Sequence, residues 1–253
     1  MNWAQNLYKK QAAWLLKEKY EGHLSAEAKA DIEKLRQGEP LDYLIGFTYF
    51  LGSRIDLGKR PLIPRPETEF WTEKAIAEIR KDKRKAECLD LFSGSGAIGI
   101  AVLKHIPGAS VDLGEINKDF IQQIKFNLRA NKIAEKRAAV IQTDIFQNIK
   151  KKYDCIFANP PYIAEKRRRR VQKPVLDYEP KSALFGGRDG LLYIRKFLKQ
   201  AKKYLKPEGK IYLEFDSFQK PKISALLKRE GYKNFQFFKD QYNHWRYVKI
   251  DVS

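Results

Sequence analysis

Asn159-Pro160-Pro161-Tyr162 is the stretch of this chain with the plainest chemical capacity. An asparagine followed by two prolines and an aromatic ring can hold a planar NH2 group for methylation. Asn159 Oδ1 and the Pro160 carbonyl can each accept one N–H, and the Tyr162 ring can lie on the flat face of the group. Pro160 and Pro161 carry no N–H and have a fixed φ, so the turn is stiff and offers acceptors only. The four residues follow Tyr153–Ala158 (YDCIFA), an apolar run that reads as a buried strand. A proline-rich turn after a strand also occurs in α/β proteins of other kinds. The motif gains meaning only beside a methyl donor site.

Leu89-Asp90-Leu91-Phe92-Ser93-Gly94-Ser95-Gly96 joins a predicted strand to a predicted helix. Gly94 and Gly96 let the backbone turn sharply and approach a ligand at the strand's carboxyl end. A glycine pair alone is equally well explained as a bare strand–helix turn. Glu115, at the tip of the next strand and about 20 residues on, is the acidic partner that accepts both ribose hydroxyls of a nucleoside cofactor. Asp112 competes for that role but lies within the strand. Phe92 occupies the position of the first glycine in the dinucleotide fingerprint, which counts against a pyrophosphate. S-adenosylmethionine has no phosphate and tolerates a bulkier residue there. Asp144 and Ile145, after the third strand, would then flank the adenine. Asp144 has a second reading of equal weight, as the cap of the short turn 145–148.

The elements that must position these residues follow from periodicity. Apolar spacing predicts a helix over 3–19, and Ser25 caps a second over 26–37, ended by Gly38-Glu39-Pro40. Alternation around Gly52-Ser53 predicts a β-hairpin within 44–63, and a helix runs from near Glu67 to Arg80. Strands are expected at 87–92, 109–114, 138–142, 153–158, 209–215, 233–238 and 245–250. Helices fill 96–106, 117–131, 189–205 and 219–230. This alternation predicts a Rossmann-like α/β fold, with a mainly parallel seven-stranded sheet and an antiparallel hairpin at its edge. The expected organisation is a helical region 1–40, a hairpin linker 41–66 and a catalytic domain 67–253.

With 253 residues and 43% hydrophobic side chains, the chain can bury a full core. No apolar run reaches ~18 residues and the first residues do not read as a signal peptide, so a cytoplasmic protein without membrane contact is expected. Cys88 and Cys155 fall in predicted buried strands and read as core residues, and His23, His105 and His244 have no ligand spacing, so no metal is expected. The net charge of +19 suits work near nucleic acid, the ribosome or an acidic protein surface.

Further blocks carry a family resemblance. Gly38-Glu39-Pro40-Leu41-Asp42-Tyr43-Leu44-Ile45-Gly46, Leu62-Ile63-Pro64-Arg65-Pro66-Glu67-Thr68-Glu69 and Glu179-Pro180-Lys181-Ser182-Ala183-Leu184-Phe185-Gly186-Gly187-Arg188-Asp189-Gly190-Leu191 resemble the HemK/PrmC family of class I S-adenosylmethionine-dependent methyltransferases. The likeness covers about residues 11–250. It implies transfer of methyl from S-adenosylmethionine, leaving S-adenosylhomocysteine, to the glutamine side-chain nitrogen in the Gly-Gly-Gln motif of class I peptide-chain release factors. The family usually has a longer helical N-terminus, and the segment 239–247 is only loosely like its ending. Two other acceptors stay in view: an adenine amino group in nucleic acid, and the glutamine of a large-subunit ribosomal protein. A binding module without activity is a third reading, against which Asn159, Tyr162 and Glu115 together argue.

Beside this resemblance, Arg65 is placed to meet the cofactor's carboxylate, and Thr68 or Glu69 its amino group or the loop at Gly94. A helix start accounts for Pro66, Glu67 and Glu69 as well, but not for Arg65. Glu214 reads first as a partner for a nearby lysine. Lys166–Arg170 reads as a solvated loop or as a contact for an acidic release factor or rRNA. Nothing resembles a dimer interface, so a monomer is expected.

Overall fold

The computed structural model describes residues 3–82 and 85–252, and it begins with helices α1 (Trp3–Tyr20) and α2 (Ala26–Arg36). Ser25 Oγ accepts the Ala28 N–H at 3.1 Å, satisfying one of the donors that a helix start leaves without a partner. A third helix, α3 (Leu41–Ile45), occupies one turn where the sequence predicts only linker, and Gly46 ends it at φ 92°. Leu15, Leu35 and Leu44, one from each helix, form a small apolar cluster of their own. At its rim, burial opposes ionisation of Asp31, yet bonds from Lys19, Lys34 and Tyr20 hold the carboxyl down at about 2.

The hairpin pairs β1 (Phe47–Phe50) with β2 (Ser53–Asp56) in antiparallel register. Its tip is Leu51-Gly52, both at positive φ, the backbone pattern that matches strand twist in a two-residue turn. Glu69 Oε1 accepts the Leu51 N–H at 2.6 Å, so Glu69 serves the hairpin tip and not the loop at Gly94. Helix α4 (Pro66–Asp82) carries that residue in its first turn.

From here strands and helices alternate: β3 (Glu87–Leu91), α5 (Ala97–His105), β4 (Ser110–Glu115), α6 (Lys118–Ala130), β5 (Ala138–Gln142) and β6 (Tyr153–Ala158). A short helical turn at Glu165–Arg170 precedes α7 (Lys173–Tyr178), α8 (Lys181–Leu184) and α9 (Leu192–Gln200). The remainder is β7 (Leu205–Glu214), α10 (Lys220–Arg229), β8 (Asn234–Lys239) and β9 (Trp245–Val252). The helix expected over 189–205 begins only at Leu192, because Gly190 at φ 78° turns the chain first.

The sheet runs β5-β4-β3-β6-β7-β9-β8, parallel from β5 to β7, with β9 antiparallel to both neighbours. Each face is covered. Trp71, Ile100 and Ile124 of α4, α5 and α6 belong to one core, and Phe197 and Leu227 of α9 and α10 to the other. The order of strand addition reverses between β3 and β6, and the crevice beyond those carboxyl ends is where such folds bind ligands. Cys88 and Cys155 are register neighbours on β3 and β6, both buried and free. Among the described residues, no helix is long and apolar enough to cross a membrane.

Candidate active site at the carboxyl ends of the strands

A cavity of about 260 Å³ opens at this crevice. Its floor is the turn after β3. Phe92 takes φ 63° and Gly94 φ 56°, so a phenylalanine here adopts the left-handed backbone that glycine adopts more easily. A Cβ on Gly94 would meet nothing within 4 Å, whereas one on Gly96 would press on Ile124 and Ile100 of the helix layer. The first glycine faces open space and the second permits close packing.

Glu115 closes β4 and lines the cavity. Its oxygens accept the N–H groups of Gly94 (2.9 Å), Ile116 (2.9 Å) and Asn117 (2.8 Å). Burial pushes its carboxyl above the ordinary range, and the three N–H groups pull it back. A carboxylate has about four acceptor positions, so one remains, on Oε2, for a hydroxyl donor, where the sequence suggests both ribose hydroxyls. Asp112, the competitor, accepts from Tyr153 and Lys151 outside the cavity. Asp144 and Ile145 line the cavity too. Thr143 Oγ1, not Asp144, caps the following turn by accepting the Asn148 N–H at 3.1 Å. The Asp144 carboxylate has no hydrogen-bond partner among the described residues. Ile145 sits at φ 54°, a costly conformation for a β-branched side chain.

Of the Asn159–Tyr162 turn, Asn159 and Pro161 line the cavity, while Pro160 and Tyr162 do not. Asn159 Nδ2 donates to Thr68 Oγ1 at 3.3 Å. The Pro160 carbonyl accepts no hydrogen bond among the described residues, whereas the Tyr162 carbonyl takes one from Gln219 Nε2 at 2.9 Å. The Tyr162 hydroxyl donates to Glu214 Oε1 at 2.9 Å, and burial together with that carboxylate holds the phenol well above its usual pKa.

Glu214 departs most from expectation. Its partner is no lysine. The carboxylate is buried and collects Thr68 Oγ1 (2.7 Å), Trp71 Nε1 (2.6 Å) and Tyr162. The sequence held one usable signal: an acid closing the apolar run Ile211-Tyr212-Leu213, at the end of a strand that parallels the Asn159 strand. Arg65 lines the cavity but already has a carboxylate, Glu179, at 2.5 Å. This pair ties the Pro64–Glu69 block to the Glu179–Leu191 block.

The second block has a steric reason for its glycines. A Cβ on Gly186 would lie 2.4 Å from the Pro161 carbonyl oxygen, and one on Gly190 2.2 Å from that of Tyr162. The backbone of 186–190 is pressed against the Asn159–Tyr162 turn, and only glycine fits. Pro64 lines the cavity with the block expected to close over the cofactor, and Phe50 on the hairpin, Leu62 and Tyr193 on α9 line it as well; sequence reasoning missed these last three, because apolar residues on distant elements carry no sign of what they face.

Asp90, beneath the turn, is fully buried; Oδ2 accepts the Gly99 N–H at 2.9 Å and Oδ1 has no partner. Burial raises its pKa to about 7 against the pull of the Gly99 N–H, with Glu115 adding to the rise. A carboxyl with a higher pKa in the folded state contributes stability in full below its unfolded value of about 3.9, and that contribution is lost as pH rises through the folded value. In denaturant titrations without cofactor, the wild type therefore loses stability relative to Asp90→Asn from about pH 4 to 7, by roughly 4 kcal/mol in all. Parallel pH curves for the two proteins would contradict this.

Strand order, with the glycine turn at the switch point, places the molecule among the class I S-adenosylmethionine-dependent methyltransferases. Residues 72–178 match the family described as the methyltransferase small domain. The ribosomal protein L11 methylase of Lactobacillus delbrueckii subsp. bulgaricus shares the fold, with a TM-score of 0.54 and 19% identity over 78% of this chain and 82% of that one. The release factor glutamine methyltransferase of Flavobacterium psychrophilum is 32% identical over 86% of this chain and 77% of its own length. That of Streptococcus pneumoniae is 34% identical over 87% and 77%. The chain belongs to the release factor glutamine methyltransferase family.

Proposed function

We propose that this protein methylates the side-chain nitrogen of the glutamine in the Gly-Gly-Gln motif of class I peptide-chain release factors. The observation that carries the reading is Asn159 at the cavity wall, its Nδ2 occupied by Thr68 and its Oδ1 left as an acceptor. The residues present suit S-adenosylmethionine: a carboxylate with spare acceptor capacity at Glu115, a second without a partner at Asp144, and an open glycine at Gly94. When bound, the cofactor supplies a methyl group already activated by the sulfonium. Glu115 would hold a ribose hydroxyl through its remaining acceptor position, Asp144 would accept from the adenine amino group, and Ile145 and Phe92 would cover the ring system. Arg65, through its pair with Glu179, closes the methionine end.

A carboxamide nitrogen is a poor nucleophile, because its lone pair is delocalised into the carbonyl. The chain's task is therefore positioning. Asn159 Oδ1 and the Pro160 carbonyl accept the two N–H bonds and aim the nitrogen. As that nitrogen gains positive charge its N–H groups become stronger donors, so the two acceptors favour the transition state over the ground state, and the charge is discharged by loss of one of the two N–H protons to solvent. Tyr162, anchored through its hydroxyl, shields this edge of the site from water.

The test is transfer of labelled methyl to a release factor, with rRNA and DNA in parallel. Label should enter the release factor and vanish when its motif glutamine is changed to alanine. Label in nucleic acid alone would overturn the reading. Partner contact is assigned to the exposed turn 165–170. Arg167 lies over Phe218 at 3.6 Å, and Arg169 and Arg170 have no ion pair among the described residues. Reversing the charge at Arg168, Arg169 and Arg170 should weaken release-factor binding roughly ten-fold at low salt and flatten its salt dependence, with cofactor affinity unchanged. Unchanged binding would return the turn to a solvated role.

A further inference from the structure

An asparagine amide has nearly the same shape either way round, so something must decide which end faces the acceptor substrate. Thr68 Oγ1 makes the one hydrogen bond of the Asn159 side chain among the described residues. A hydroxyl has a single proton. At Thr68 that proton is committed to Glu214 Oε2 at 2.7 Å, shorter than the 3.3 Å contact with Asn159; the indole N–H of Trp71 on the same oxygen requires that oxygen to be an acceptor. Thr68 can then only accept from Asn159, which draws Nδ2 toward it and turns Oδ1 outward.

The surroundings hold this arrangement in place. Thr68 and Glu214 are 4% and 1% exposed, so water does not compete for the hydroxyl. Trp71 Nε1, a donor with no acceptor capacity, fills the same carboxylate oxygen, and Tyr162 takes the other. Thr72 Oγ1 donates to the Thr68 carbonyl at 2.7 Å and fixes the backbone. One carboxylate on β7 is thereby linked to both ends of the Asn159–Tyr162 turn.

The geometry points to Thr68 and Glu214 as positioning residues that set the orientation of the Asn159 amide, and through it the site's preference for an N–H donor as acceptor substrate. This rests on the reading of Asn159 as the group that accepts the substrate N–H. Without the Thr68 hydroxyl the amide is free to present its own NH2, which repels an incoming N–H.

The test compares Thr68→Val, Thr68→Ser, Asn159→Ala and Thr68→Val/Asn159→Ala, using whichever acceptor the wild type methylates. Thr68→Val should lower kcat roughly 10- to 100-fold, with the cofactor Kd within about three-fold and the fold retained at the assay temperature, although the buried Glu214 loses one donor. Thr68→Ser, which keeps the hydroxyl, should recover turnover to within about three-fold of wild type. In the Asn159→Ala background there is no amide to orient, so adding Thr68→Val should cost nothing more. Near-normal kcat in Thr68→Val, equal impairment in Thr68→Ser, or the same penalty in both backgrounds would overturn the proposal. Failure of the underlying reading shows separately, as full turnover in Asn159→Ala alone.

Discussion

Replacing Asn159 with alanine lowers kcat roughly 10²- to 10³-fold while the cofactor Kd stays within a few-fold. The size follows from what is lost. One of two acceptors disappears from a nitrogen that becomes positively charged in the transition state, at a wall shielded from bulk water. The Pro160 carbonyl remains, so the substrate still binds but can rotate about a single hydrogen bond. Loss should therefore fall on kcat more than on KM. The variant also frees Thr68 of its only bond to the turn, and the buried Glu214 network keeps its other donors. Fold and cofactor site are left intact, which isothermal titration with S-adenosylhomocysteine will check alongside the rate. A rate within a factor of about five of wild type would remove Asn159 from the chemistry.

Glu115→Ala produces the second large effect, and on binding. A hydrogen bond to a charged acceptor is worth about 1.5–3 kcal/mol, so losing the proposed ribose contact raises the cofactor Kd roughly 10- to 100-fold. Truncation also strips the N–H groups of Gly94, Ile116 and Asn117 of their acceptor and loosens the glycine turn. Glu115→Gln separates the two contributions: it keeps one carbonyl oxygen for the turn and removes the charge, with an expected loss nearer ten-fold. Because burial already raises the Glu115 pKa, affinity in the wild type should fall at acidic pH and should not do so in the glutamine variant. A Kd for Glu115→Ala close to wild type would show that the ribose is held elsewhere.

The sheet was legible because its strands are apolar runs bounded by turn residues, and buried parallel strands leave that pattern whatever their neighbours. The glycine turn, Glu115 and Asn159 were legible because each sits at a strand end, where chain order alone fixes its side of the sheet. Helix α3 was not: five residues give no periodicity to read. Glu214 was misread because its donors lie 52, 143 and 146 residues away, and no local pattern records such contacts. Thr68 or Glu69 was expected at the cofactor's amino group or the loop at Gly94 on proximity in a motif, and tertiary packing gave Glu69 to the hairpin tip and the Thr68 hydroxyl to Glu214. The glycines at 186 and 190 were visible as letters, but the carbonyls that exclude a side chain there belong to another segment.

The placement of β9 bears on when the protein becomes competent. β7 is flanked by β6 on one side and β9 on the other, and Glu214 is in register with Tyr247. A nascent chain that has emerged only through α10 therefore holds β7 as an open edge, with the carboxylate that serves Thr68 and Tyr162 beside an unfilled slot. A domain generally folds as a unit, so the seven-stranded sheet is complete only once β9 is available. The place beside Glu214 is filled only by that last strand, so a chain truncated before Trp245 should lack an ordered transfer site, which an activity assay of the truncated protein will check.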